Sequence, residues 1–205
     1  IKYQGATLAA LETNIDALKA KLAPRTLQTL AQTRQDTTVR NISAVAESAL
    51  QMDLSKGNSI AFFVVEFTCP YPFFRLSTVI ADNTTTINAN PKAMTVTNPG
   101  GVEETEPTII LTGPLSNTVI TNSTNSYVLT YTGTIASPRV VTLSVDATTK
   151  EWVATTDLGV NVIANFSHSG GPEYMKFNVG ANTLSIADGT ATTGTVKASF
   201  YPPFL

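Results

Sequence analysis

At 205 residues the chain has room for one large all-β domain or two modest ones, and a chain of that length buries roughly 70% of its unfolded surface without needing a disulfide or metal to fold. Charged side chains make up 14% of it and the formal net charge is −2, so there is no basic stripe of the kind that nucleic-acid binding requires. One cysteine and one histidine rule out a disulfide framework and a Cys/His zinc site, and no apolar run approaches the length of about 18 residues of a membrane-spanning helix.

The sequence starts at Ile1 without Met or signal peptide, so it is expected to be a processed or partial piece whose first residue is arbitrary. From Thr7 to Leu22 the leucines and isoleucine at 8, 11, 15, 18 and 22 alternate three- and four-residue spacings, which predicts an amphipathic helix. Thr7 can cap its start, Lys19 and Lys21 suit the negative end of its dipole, and Pro24 stops it. The stripe is expected to pack on a sheet of its own domain, although a coiled-coil partner would also fit it.

Two β segments follow. Thr38–Leu50 reads as a long extended stretch, and Ser59–Thr68, rich in β-branched and aromatic residues, as its antiparallel partner. The turn chemistry of Ser55-Lys-Gly-Asn58 joins them into a long hairpin. Pro70 and Pro72 then forbid extension of the second strand, because neither can donate to a ladder. Phe67, Pro70, Tyr71, Pro72, Phe73 and Phe74 are therefore expected to form the seam where a first domain, residues 1–75, ends. Cys69, inside that stretch, reads as a small half-buried apolar residue.

Residues 76–93 are polar and weakly patterned, a connector with at most one edge strand. From 94 to 205 short strands recur about every ten residues, punctuated by Gly, Pro, Asn and Asp, which is the pattern of an antiparallel β-sandwich or jelly roll. The predicted strands are 94–98, 106–112, 118–122, 126–132, 139–146, 151–155, 160–166, 174–179, 183–187 and 195–201. Asp146–Lys150 is a tight hairpin loop. The fold class is thus mainly β: an α+β piece of one helix and a long hairpin, then a sandwich.

The search for chemistry yields no catalytic, cofactor or metal site. His168, the only histidine, has serines on both sides in a loop-like setting, where an exposed loop histidine is the plainer reading than a triad. Glu103, Glu104 and Glu106 form an acidic cluster without the spacing of a calcium loop. Gly170-Gly171 precedes Pro172 rather than a helix, so it is no phosphate cradle. The Asn-x-Ser/Thr sequons at 41, 83, 122 and 165 are what a chain rich in Asn and Thr produces by chance. A carboxylate pair for glycoside hydrolysis can meet only in three dimensions, and no pair is nominated. Tyr127, Trp152 and Tyr174 are candidates for a sugar-stacking platform, against the alternative that Trp152 turns inward and fills the core.

Several phrases, taken in order, resemble a known family. TVTNPG (95–100), EPTIILTGPLSNTVITN (106–122), YVLTYTGTI (127–135), VVTLSVDATTKEWV (140–153), FNVGANTLSI (177–186) and VKASFYPPFL (196–205) resemble the C-terminal domain of phage distal tail proteins. YQGATLAALETNIDALKAKL (3–22) and FFVVEFTCPYPFF (62–74) are similar to the later part of that family's N-terminal domain. The resemblance implies a galectin-like sandwich behind a ring-forming α+β domain, in a non-enzymatic virion protein at the distal end of the tail. It also implies a homo-oligomeric ring of six copies, with the tail tube protein and the tail hub and tip proteins as partners. The alternative function is a carbohydrate-binding sandwich that contacts a host-surface glycan. Neither role calls for a cofactor, nucleic acid or membrane span.

Overall fold

A computed structural model of the chain describes residues 2–4, 8–22, 27–47, 51–55, 60–80, 83–189 and 193–205. The chain divides into two compact units, Ile1–Phe74 and Arg75–Leu205. Both are built mainly of antiparallel strands, and the described residues hold a single α-helix.

The first unit contains β1 (Lys2–Gln4), α1 (Leu8–Leu22), β2 (Gln28–Thr33), β3 (Val39–Ala46), β4 (Gln51–Ser55), β5 (Ile60–Val64) and β6 (Phe67–Thr68). The predicted helix is present, and Leu11, Ile15 and Leu18 are buried on its stripe. It lies beside β1, the edge of a three-stranded sheet ordered β1-β5-β4. Thr7 and Pro24, the expected cap and stop, lie outside the described residues.

The single long hairpin expected here is instead two hairpins. β5 pairs with β4, Met52 opposite Phe63, and residues 56–59 between them lie outside the described set. β3 ends at Ala46 and pairs along its length with β2, while β6 adds only Phe67 and Thr68 beside Ala46 and Val45. The reason is local. The turn joining β2 to β3 has no glycine: Thr37 adopts φ +66°, the Arg34 amide donates to Thr38 O at 2.9 Å, and the Thr38 amide donates to Asp36 Oδ1 at 3.0 Å. β2, Gln-Thr-Leu-Ala-Gln-Thr, is exposed at nearly every position, so it carries no alternation of apolar and polar residues.

β7 (Phe74–Leu76) starts on the last residue of the first unit and leads into the second, where the Leu76 amide donates to Pro202 O at 3.1 Å. Then come β8 (Asn83–Thr86), β9 (Lys92–Asn98), β10 (Thr108–Thr112), β11 (Leu115–Ser116), β12 (Val119–Asn122), β13 (Tyr127–Tyr131), β14 (Thr134–Ile135) and β15 (Val140–Val145). They are followed by β16 (Trp152–Thr156), β17 (Phe166–Ser169), β18 (Gly180–Ala187), β19 (Thr195–Ser199) and β20 (Pro203–Phe204). Two five-stranded antiparallel sheets result, ordered β16-β15-β10-β19-β8 and β17-β13-β12-β18-β9, with β11 and β14 forming a short ribbon.

Each central strand alternates buried and less buried residues, which aims one face of each sheet inward. Ile109, Leu111, Leu143 and Val196 from the first sheet share one continuous core with Val96, Ile120, Leu129 and Ile186 from the second. This is a β-sandwich. The segment expected as a connector contributes β8, an edge strand paired with β19.

Two predicted strands differ. Residues 160–166 fold back instead of extending: the Val160 amide donates to Thr156 Oγ1 and the Ile163 amide to Asn161 Oδ1, so side-chain acceptors compete with the ladder. A short 3-10 turn at Ile163–Asn165 then leads into β17. In 174–179, Met175 and Phe177 are fully buried and alternate as a strand would, yet the backbone makes only an isolated bridge between Phe177 and Glu104. Asparagine amides hold this segment in place of a ladder. Asn122 and Asn125 donate to Lys176 O, each at 2.9 Å, and Asn182 donates to Asn178 O at 2.8 Å.

Candidate functional site

Both sheets of the sandwich end on the same side, in the edge strands β16 and β17, and three rings meet there. Trp152 opens β16 just after the Asp146–Lys150 loop. In that loop the Thr148 and Thr149 amides each donate to Asp146 Oδ1 at 2.8 Å, and Lys150 takes φ +61°. Those two backbone bonds, Thr149 first, hold the Asp146 carboxyl below its ordinary range. Trp152 pairs across from Val145, one alternation step beyond the buried Leu143–Ala154 pair, so it lies on the inward face and packs against the core. It is half-buried.

His168 lies on β17 opposite the buried Leu129 and is itself exposed. Tyr174, half-buried, sits between them. Its ring centroid is 5.3 Å from that of Trp152 at an interplanar angle of 47°, and 4.3 Å from that of His168 at 44°. Tilted pairs at these separations are favourable ring geometry.

Tyr127 is not part of this surface. It is buried on the inward face of β13 together with Leu129 and Tyr131, which corrects its expected place on a ring platform. The period-two alternation already visible in Tyr-Val-Leu-Thr-Tyr (127–131) is the signal that could have placed it inside. Its hydroxyl donates to Glu173 Oε2 at 2.6 Å, and burial, reinforced by that bond, pushes the phenol up to about 12. The loop approaching Tyr174 is shaped to this tyrosine. Gly170 takes φ +109°, and a Cβ on Gly171 would collide with the Tyr127 hydroxyl.

The acidic cluster is divided between two cations. Glu103 pairs with Lys176. Glu104, fully buried, accepts from Arg75 Nη1 at 2.8 Å through Oε2 and from the Glu106 amide at 2.7 Å through Oε1. Arg75 also approaches Glu106 at 3.7 Å and donates to Tyr201 O at 3.2 Å. Burial raises the Glu104 carboxyl above its ordinary range, opposed by the Arg75 charge. No group of three or more His, Cys, Asp or Glu side chains able to hold a metal occurs among the described residues.

Of the seam candidates, Phe67 opens β6 opposite Ala46, Tyr71, Phe73 and Phe74 are half-buried, and Pro70 and Pro72 are exposed. Cys69 is free and half-buried. A feature with no sequence signal is an apolar groove of about 310 Å³ in the sandwich, floored by Tyr131, Ile135 and Val141 and rimmed by Leu158 and Val160. Those rim residues are 66% and 55% exposed, and the Arg139–Asp157 ion pair at 3.1 Å stands beside them. The groove combines residues of strands β13, β14, β15 and β16 with residues of the loop after β16. Compared with protein-family models and with curated proteins, the chain matches none.

Proposed function

We propose that this chain is a structural, non-enzymatic protein of a phage tail tip, built into the virion at the distal end of the tail. Its copies close a ring that joins the tail tube to the adsorption apparatus. The observation that carries the reading is the order of its parts. A small unit with one helix and antiparallel hairpins precedes a two-sheet sandwich, which is the order implied by the resemblance of its phrases to distal tail proteins. The finer description of the sandwich as a galectin-like jelly roll belongs to the same proposal.

The mechanism is geometric. A head-to-tail interface repeated by rotation closes a collar of fixed copy number, six by the resemblance, on which tube and hub proteins stack. A chain with only 14% charged residues suits this role, because charged side chains are depleted in interface cores. Negative-stain electron microscopy of the full-length protein tests it. Closed annular particles with rotational symmetry are expected, and a field of single, unassociated chains would refute it.

A further inference from the structure

We infer that Trp152, Tyr174 and His168 form a saccharide-binding ledge on the edge of the sandwich, and that Tyr127 is its positioning residue. The inference is independent of ring assembly. Three rings drawn from β16, β17 and the 170–174 loop converge within 5.3 Å centroid spacings, each keeping part of its surface in solvent. Contiguous half-exposed ring surface of this kind stacks on the apolar C–H faces of a pyranose, the class of ligand that combines an apolar face with a polar rim. His168, the outermost ring, supplies imidazole nitrogens that can exchange hydrogen bonds with sugar hydroxyls.

What makes the ledge a built feature is the support beneath Tyr174. The residue before it, Glu173, is held by the buried Tyr127 hydroxyl at 2.6 Å. The turn that brings it there needs Gly170 at φ +109° and Gly171 pressed on the Tyr127 ring. Tyr127 itself does not touch a ligand. It fixes the loop so that the Tyr174 ring is in place beforehand, and a preorganised ring loses less entropy on binding.

The chain has one tryptophan, so its fluorescence reports on the ledge directly. The full-length protein is titrated with cellotriose, chitotriose, lactose and rhamnose, following Trp152 emission. A saturable change with at least one of these sugars is expected, weakened about tenfold or more by Tyr174→Ala, in line with a lost stacking contact. His168→Ala, at an exposed position, provides a second variant should Tyr174→Ala fail to fold, and is expected to weaken binding severalfold. Tyr127→Phe keeps the buried ring and removes only the hydroxyl. It is expected to weaken sugar binding more than it shifts the urea midpoint, a split that a purely structural role would not give. No saturable change with any of the four sugars overturns the proposal. So does affinity that is unchanged in both the Tyr174 and His168 variants.

Discussion

The Arg75–Glu104 pair is the most exacting test of the energetics of the sandwich unit. Glu104 has no accessible side-chain surface, while Arg75 keeps 27% of its own. Arg75→Met leaves a carboxylate buried beside an apolar side chain, with only the Glu106 amide as a hydrogen-bond donor. Removing one partner of a fully buried pair costs about 3–5 kcal/mol, and the partial solvation of Arg75 lowers that to about 2–3 kcal/mol here. With a urea slope of about 2 kcal/mol/M, the midpoint should fall by about 1 M near neutral pH.

The loss must depend on pH, and its sign is fixed. Burial already raises the Glu104 carboxyl above its ordinary 4.5, and removing the Arg75 charge raises it further. The folded state then binds the proton more tightly than the unfolded chain, so stability falls as pH rises through the interval between 4.5 and the raised value. The deficit of Arg75→Met is therefore full above that interval and shrinks toward zero below it. Urea melts followed by Trp152 fluorescence, at neutral pH and near pH 4, measure both. A neutral-pH loss under about 0.5 kcal/mol, or an equal loss at both pH values, would refute the reasoning.

Two further outcomes are expected. Phe177→Ala removes a fully buried ring that stacks on Phe200 at 5.5 Å, and should lower stability by about 4 kcal/mol in the same melt. Thr37→Gly relieves a β-branched residue at φ +66° in the turn between β2 and β3, and should raise the stability of the first unit by about 1 kcal/mol. Hydrogen exchange of the β2 and β3 amides reads the latter, and faster exchange in the variant would contradict it.

Legibility in the sequence followed the physical period of each element. Leu11, Ile15 and Leu18 announced their helix because a 3.6-residue period separates them from everything around it. The sandwich was legible for the same reason at period two, as in Thr-Ile-Ile-Leu-Thr and Tyr-Val-Leu-Thr-Tyr. β2 was not, because an exposed strand needs no apolar face and the turn after it uses Thr37 where a glycine would have marked it. At 174–179 the expected strand is not a ladder strand: Met175 and Phe177 are buried alternately, and asparagine amides do there what a ladder does elsewhere.

The site divides along similar lines. Trp152 lies inward yet half-exposed, because an edge strand has no outer neighbour to cover it. The meeting of Trp152, Tyr174 and His168 depends on two sheets ending side by side, and the Arg75–Glu104 pair joins residues 29 positions apart. Neither leaves a mark in any short window of sequence.

Mass photometry of the full-length protein across a dilution series tests the central claim most directly. The account predicts one dominant species at a fixed multiple of the single-chain mass, six by the family resemblance, persisting as the concentration falls. A single species at the mass of one chain throughout the series would contradict it.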